Sequence, residues 1–179
     1  MKKWKILILV LVGLLLASLI AVLLVPKDNA EKAGMISVCS NITKEKMKSP
    51  SSYIIDKSAV IVRYADEAET NSKLTETAME RLRPYIEDGR MKYKIAEVYI
   101  DYEAKNSFGV LIKNSAACYY DIISSSSSNS YEMTRANISG NDFMGTDLYI
   151  MLAADDGKIG RGGFMQKFGY IKNVVTGVM

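Results

Sequence analysis

Twenty consecutive residues, "ILILVLVGLLLASLIAVLLV" from Ile6 to Val25, carry no charge. At about 1.5 Å rise per residue, a helix of that length spans the roughly 30 Å hydrocarbon core of a bilayer. Lys2, Lys3 and Lys5 precede it. Basic flanks stay on the cytoplasmic side, so the expected orientation is N-terminus in and the remainder outside. A cleaved signal peptide is the competing reading, with an apolar region of about 7–15 residues ending at a small-x-small site. This run is longer. Ala21 has Leu19 two places before it and Ala30 has Asp28, so neither forms such a site, and no cysteine follows as a lipoprotein signal requires. The sequence therefore predicts a cytoplasmic flank at 1–5 and an uncleaved single-pass anchor in the lipid bilayer at 6–25. It places the protein in an inner membrane with a periplasmic C-terminal domain.

Charge follows topology. The chain holds 23 Lys and Arg against 20 Asp and Glu, and setting aside Lys2, Lys3 and Lys5 leaves 20 of each. The exported part is neutral, without the concentrated basic face that nucleic acid demands, so no nucleic-acid partner is expected. Histidine is absent altogether, which removes the commonest general base and the commonest metal ligand. No metal site or cofactor is expected. Cys39 and Cys118 are the two cysteines, and in an oxidising compartment an even pair reads first as a disulfide.

Beyond the anchor, "PKDNAEKAG" at 26–34 reads as a polar linker. From about Ala33, Met35, Val38, Cys39, Ile42 and Lys46 follow i, i+3, i+4, i+7 spacing, which predicts an amphipathic helix ended by Pro50. "YIIDKSAVIVRY" at 53–64 is rich in β-branched residues and predicts a strand. The charged stretch at 65–94 places Leu74, Ala78, Leu82 and Tyr85 at helical spacing. Asn71 or Ser72 would cap that surface helix, Pro84 would kink or end it, and Gly89 would close it.

"IAEVYIDYEA" alternates with Ala96, Val98, Ile100, Tyr102 and Ala104 on one face. After the polar turn Asn106, Ser107, Phe108, Gly109, a second run puts Val110, Ile112, Ala116, Cys118, Tyr120 and Ile122 on one face, with Asn114 as the exception. An antiparallel hairpin follows, with Gly109 supplying turn freedom. Cys118 then points to the core that Cys39 faces from the helix, and two independent periodicities make Cys39–Cys118 a helix-to-sheet staple. The domain so defined covers 35–123, an α+β fold with a helix packed on an antiparallel sheet. A serine-rich loop is expected at 124–146, a strand in "DLYIMLAA", and short strands or disorder in the rest of the extension at 147–179.

The order of Cys39, "KSPSS" at 48–52, "AKNSFG" at 104–109, "IKN" at 112–114 and Cys118 resembles a group of small exported bacterial domains. In these a Cys-bearing helix, a Lys-x-Pro-Ser-Ser turn, an Asn-Ser/Ala-Phe/Tyr-Gly hairpin and a strand ending in cysteine recur. The likeness covers about residues 35–122. It implies the α+β fold and an envelope location and brings no catalytic residue. The charged 65–94 segment and the C-terminal extension depart from it.

Candidate chemistry is sparse. Asn106, Ser107 and Gly109 satisfy a turn's backbone more readily than a ligand. Serine nucleophiles lack a base and their companion motifs. Asp101 and Glu103 share a strand face with Glu97, but acid catalysis needs a cleft that splits their pKa values. "DDGKIGRGG" at 155–163 lacks both the P-loop ending and the EF-hand spacing and reads as a turn. Tyr99 and Tyr119 fall on the outward faces of the paired strands, an aromatic patch of the kind enriched at protein interfaces. The leading expectation is a non-enzymatic envelope protein that binds an envelope protein or a wall component through its sheet. The alternatives are an envelope hydrolase using acids such as Asp101 and Glu103, and a phage- or plasmid-borne exclusion or secretion accessory.

Overall fold

The computed structural model describes residues 2–154 and 163–179. The apolar run forms α1 (Lys2–Leu23), whose side chains from Ile6 to Leu23 are almost all exposed, as suits a helix long and apolar enough to cross a membrane. Pro26 follows as the residue capping α2 (Lys27–Glu45). A short 3-10 turn (Pro50–Ser52) leads into β1 (Ile54–Tyr64). Three brief helices come next, α3 (Glu67–Lys73), α4 (Thr77–Glu80) and α5 (Arg83–Glu87). The chain continues through β2 (Met91–Lys105), β3 (Leu111–Ser125), β4 (Asn129–Ile138) and β5 (Asn141–Phe143), then α6 (Gly145–Ala154) and α7 (Phe164–Val175).

Among the described residues the strands form one antiparallel sheet in the order β1-β2-β3-β4-β5, so every neighbour in sequence is a neighbour in space. The fold is α+β. One sheet face carries Ala96, Val98, Ile100, Tyr102, Ala116, Cys118, Tyr120 and Ile122, all buried against Met35, Val38, Cys39 and Ile42 of α2. Fully burying a side chain such as Ile42 stabilises by about 1.5–3 kcal/mol, and a dozen such contacts make this seam the core. Cys39 and Cys118 are joined across it with Cα atoms 5.9 Å apart, inside the range a disulfide tolerates.

Several elements differ from the sequence expectation. Residues 26–34 are not an extended linker, because α2 begins at Lys27. Its first half buries Ala30, Ala33 and Gly34. The residues buried there are small, so no large apolar stripe announces the helix, and α7 packs alongside α2. "DLYIMLAA" is helix α6 rather than a strand, with Leu148 and Met151 turned into the core at i, i+3 spacing. The tail is helix α7. The serine run is a tight β3–β4 connection in which Ser125 Oγ accepts from the Ser128 amide at 3.1 Å. The stretch from Asn71 to Gly89 is broken into short helices, and Asp66 caps the first through a capping box with Glu69. Pro84 stands in the first turn of α5, where proline is tolerated, and so opens a helix there. The expected turn at "DDGKIGRGG" lies, save Gly163, outside the described residues.

Candidate interaction face

The face of the sheet opposite α2 is built from the alternate residues of each strand. Antiparallel pairing sets Ala59 opposite Tyr99, Ile61 opposite Glu97, Tyr99 opposite Ala117 and Glu97 opposite Tyr119. The next pairing brings Arg135 opposite Tyr119. Tyr99 and Tyr119 are thus diagonal neighbours on one surface, as the alternation predicted. Tyr99 is 40% exposed, Ile61 55% and Tyr119 half-buried.

One end of this surface is already covered. At the end where β2 begins, α3–α5 lie across it, and Lys73 Nζ contacts Asp121 at 2.7 Å and Glu76 at 2.8 Å. Tyr93 donates to the same Asp121 at 2.7 Å. Burial raises the Tyr93 phenol, and the Asp121 carboxylate it serves pushes it further. Arg63 marks the border, bound through both guanidinium nitrogens to Glu69 at 2.7 and 2.6 Å. Beyond that border the face is open.

Polar groups frame the open part. Tyr99 donates its hydroxyl to the Glu97 carboxylate, and this bond raises the phenol to about 12. The Arg135 guanidinium lies 5.2 Å from the centroid of the Tyr119 ring. It also binds Asp142 twice at 3.0 Å. Asn137, donating at 2.8 Å, and Arg135 together hold the Asp142 carboxyl below its ordinary value. Asp142 of β5 thus holds the cation beside the Tyr119 ring. Two rings, an isoleucine and small Ala59 and Ala117, bordered by charged groups, are the composition of a contact surface.

The other expected residues fall elsewhere. Asn106 closes the β2–β3 turn, its Oδ1 accepting from the Phe108 amide at 2.9 Å and the Val110 amide at 3.0 Å. Gly109 has φ +76°, a conformation that favours glycine. Asn106 and Ser107 also line a cavity of about 370 Å³ at the far end of the domain, with Lys46, Lys105 and Phe143. Ser52 of "KSPSS" accepts from the Lys105 amide of "AKNSFG" at 2.8 Å, so these two stretches meet. Asp101 is exposed, and Glu103 pairs with Lys113 at 3.2 Å. The same Lys113 reaches Asp56 at 3.8 Å, so a cation stands between Glu103 and its neighbouring acid. Among the described residues no cluster of three or more Cys, Asp and Glu could hold a metal ion.

Ile61 and Arg135 were not legible as part of this surface. The face of β1 depends on a register shift between Ile55 and Lys57, and that of β4 on a second shift opposite Tyr119 and Tyr120. Sequence alternation alone does not reveal either shift. Comparison with protein-family models, with curated proteins and with solved structures finds no match to this chain.

Proposed function

We propose that this chain is a single-pass inner-membrane protein whose periplasmic domain binds another envelope protein through the open part of its sheet. The observation that carries the reading is the Tyr99–Tyr119–Ile61 surface, with Tyr99 and Ile61 exposed and Tyr119 half-buried, on a sheet whose other face packs against α2. Aromatic residues offer large apolar contact area at low entropic cost, and the hydroxyl and guanidinium groups around them supply directional bonds. Lys2, Lys3 and Lys5 support an N-in orientation, and the Cys39–Cys118 disulfide supports an oxidising compartment. The motif likeness to small exported bacterial domains points the same way.

A photo-crosslinking amino acid at position 99 in intact cells tests the binding reading. A protein adduct of discrete mass, lost in a Tyr119→Ala background that still forms the disulfide, is the expected result. Adducts to wall fragments alone, or none at all, would reject the protein partner. Orientation is tested separately with a membrane-impermeant maleimide, which should label the two cysteines only after reduction.

A further inference from the structure

We infer that the first turns of α7 lie in the headgroup boundary of the bilayer, giving the domain a second membrane contact beside its anchor. The inference rests on the reading of α1 as an inserted anchor. Lys167 of α7 donates through Nζ to the carbonyl oxygen of Leu23, the last residue of α1, at 2.9 Å. Around that junction α7 also packs on α1, and Val22 and Val25 are buried although the rest of the apolar span is exposed. The start of α7 is thereby held at the level where the span leaves the hydrocarbon.

The side chains at that level are apolar and turned outward. Phe164 is 50% exposed, Met165 72% and Phe168 50%, on a helix that also packs against α2. Phe164 and Phe168 are four residues apart and so stand one above the other on one stripe. The C-terminal end of α7 points away from the span, because Val178 accepts from the amide and the hydroxyl of Ser58 in the middle of β1. Only the first two turns therefore reach the bilayer. An aromatic stripe with Lys167 and Lys172 on its flanks fits the acyl–headgroup boundary, where amphipathic helices bury their apolar face about 5–10 Å deep. The bilayer is the occupant because α1 brings it to this spot.

The native Trp4 is the chain's only tryptophan and reports insertion of α1. The full chain is reconstituted into vesicles of phosphatidylcholine and phosphatidylglycerol with brominated acyl chains, which quench an indole in contact with them. In a Trp4→Phe background, Phe168→Trp and, independently, Phe164→Trp place an indole on the stripe. Phe108→Trp, at a turn residue 88% exposed, is the water-facing reference. Intact disulfide formation shows which variants are folded. The expected result is a blue-shifted indole at 168 or 164 that loses most of its emission to brominated lipid, with the 108 indole unaffected. A quenched Trp4 with a water-like indole on the stripe would overturn the inference while the anchor stands. A blue-shifted but unquenched indole would overturn it too, because protein, such as a second copy, then covers the stripe. An unquenched Trp4 would remove the anchor reading and this inference with it.

Discussion

Tyr120 donates its hydroxyl to the carbonyl oxygen of Met35 at 3.0 Å, crossing the same helix–sheet seam that Cys39 and Cys118 staple. The covalent tie closes a loop of 79 residues, and constraining the unfolded chain over such a loop contributes about 2–4 kcal/mol. The joint Cys39→Ala, Cys118→Ala variant should unfold at lower urea by that amount, measured on the full chain in micelles. Tyr120→Phe should cost about 1 kcal/mol, the usual net value of one hydrogen bond. The two changes share one seam, so their sum should differ from the triple variant. An unchanged urea midpoint without the disulfide would mean that packing alone fixes α2 on the sheet.

Lys73 holds the α3–α5 cover on the sheet. Its side chain is about one-tenth exposed and faces Asp121, Glu76 and, at 3.9 Å, Glu132. Burial pulls its pKa down, but the bonds to Asp121 and Glu76 outweigh it and leave it raised. A raised lysine contributes stability that is fully present below its ordinary 10.5 and lost as pH rises through the folded value. Lys73→Met should cost about 2–3 kcal/mol, less than a fully buried pair because water still reaches the site. Hydrogen exchange over 67–87 should accelerate in that variant, and equal exchange rates would show that Leu74 and Met79 hold the cover unaided.

What the sequence made legible follows from how each element meets its neighbours. β2 and the second half of β3 have one face on α2 and one on solvent or a thin cover, so their alternation is clean and places both Cys118 and Tyr99 correctly. Val110 and Ile112 share the inward alternation yet are exposed, because the hairpin end projects beyond the core. In β4 the register shift lets Met133 and Ala136, of opposite parity, both point inward, and the period-two signal disappears. α2 hides its first half because the apolar residues it buries there, Ala30, Ala33 and Gly34, are small and advertise no bulky stripe. Glu31 is buried there as well, bonded by Asn129 at 2.9 Å and paired with Lys27 at 3.6 Å. A buried acid in a polar stretch reads as surface until its partners are known.

Arg63 and Glu69 provide a pH test of the border between covered and open sheet. The guanidinium bond, reinforced by the Asp66 amide, lowers Glu69 from 4.5 to about 2. Because the folded value is depressed, its contribution is complete above the ordinary carboxylate range and fades as pH falls from 4.5 towards 2. A carbon-detected titration should place the Glu69 carboxyl near 2 in the native chain. Arg63→Gln should return it most of the way to 4.5 while the capping bond from Asp66 remains. A Glu69 midpoint unmoved by Arg63→Gln would assign the depression to the helix cap.

The β2–β3 turn separates residues that hold backbone from a residue that is merely exposed. Asn106 Oδ1 accepts two amide hydrogens that Asn106→Ala would leave without it, so that change should cost about 1 kcal/mol, while the backbone N–H of residue 106 still donates to the Val110 carbonyl oxygen. Gly109 stands at φ +76° with open space around it, so Gly109→Ala meets no clash and carries only the left-handed penalty of about 1–2 kcal/mol. Ser107 is exposed, and Ser107→Ala should stay within about 0.5 kcal/mol. Urea midpoints of the three variants, read with the disulfide intact, rank them. A turn that served only as architecture would leave the position-99 crosslink unchanged in all three. Loss of that crosslink in Ser107→Ala at native stability would move the binding surface from the open sheet to the far end of the domain, where Ser107 lines the cavity beside Lys46 and Lys105.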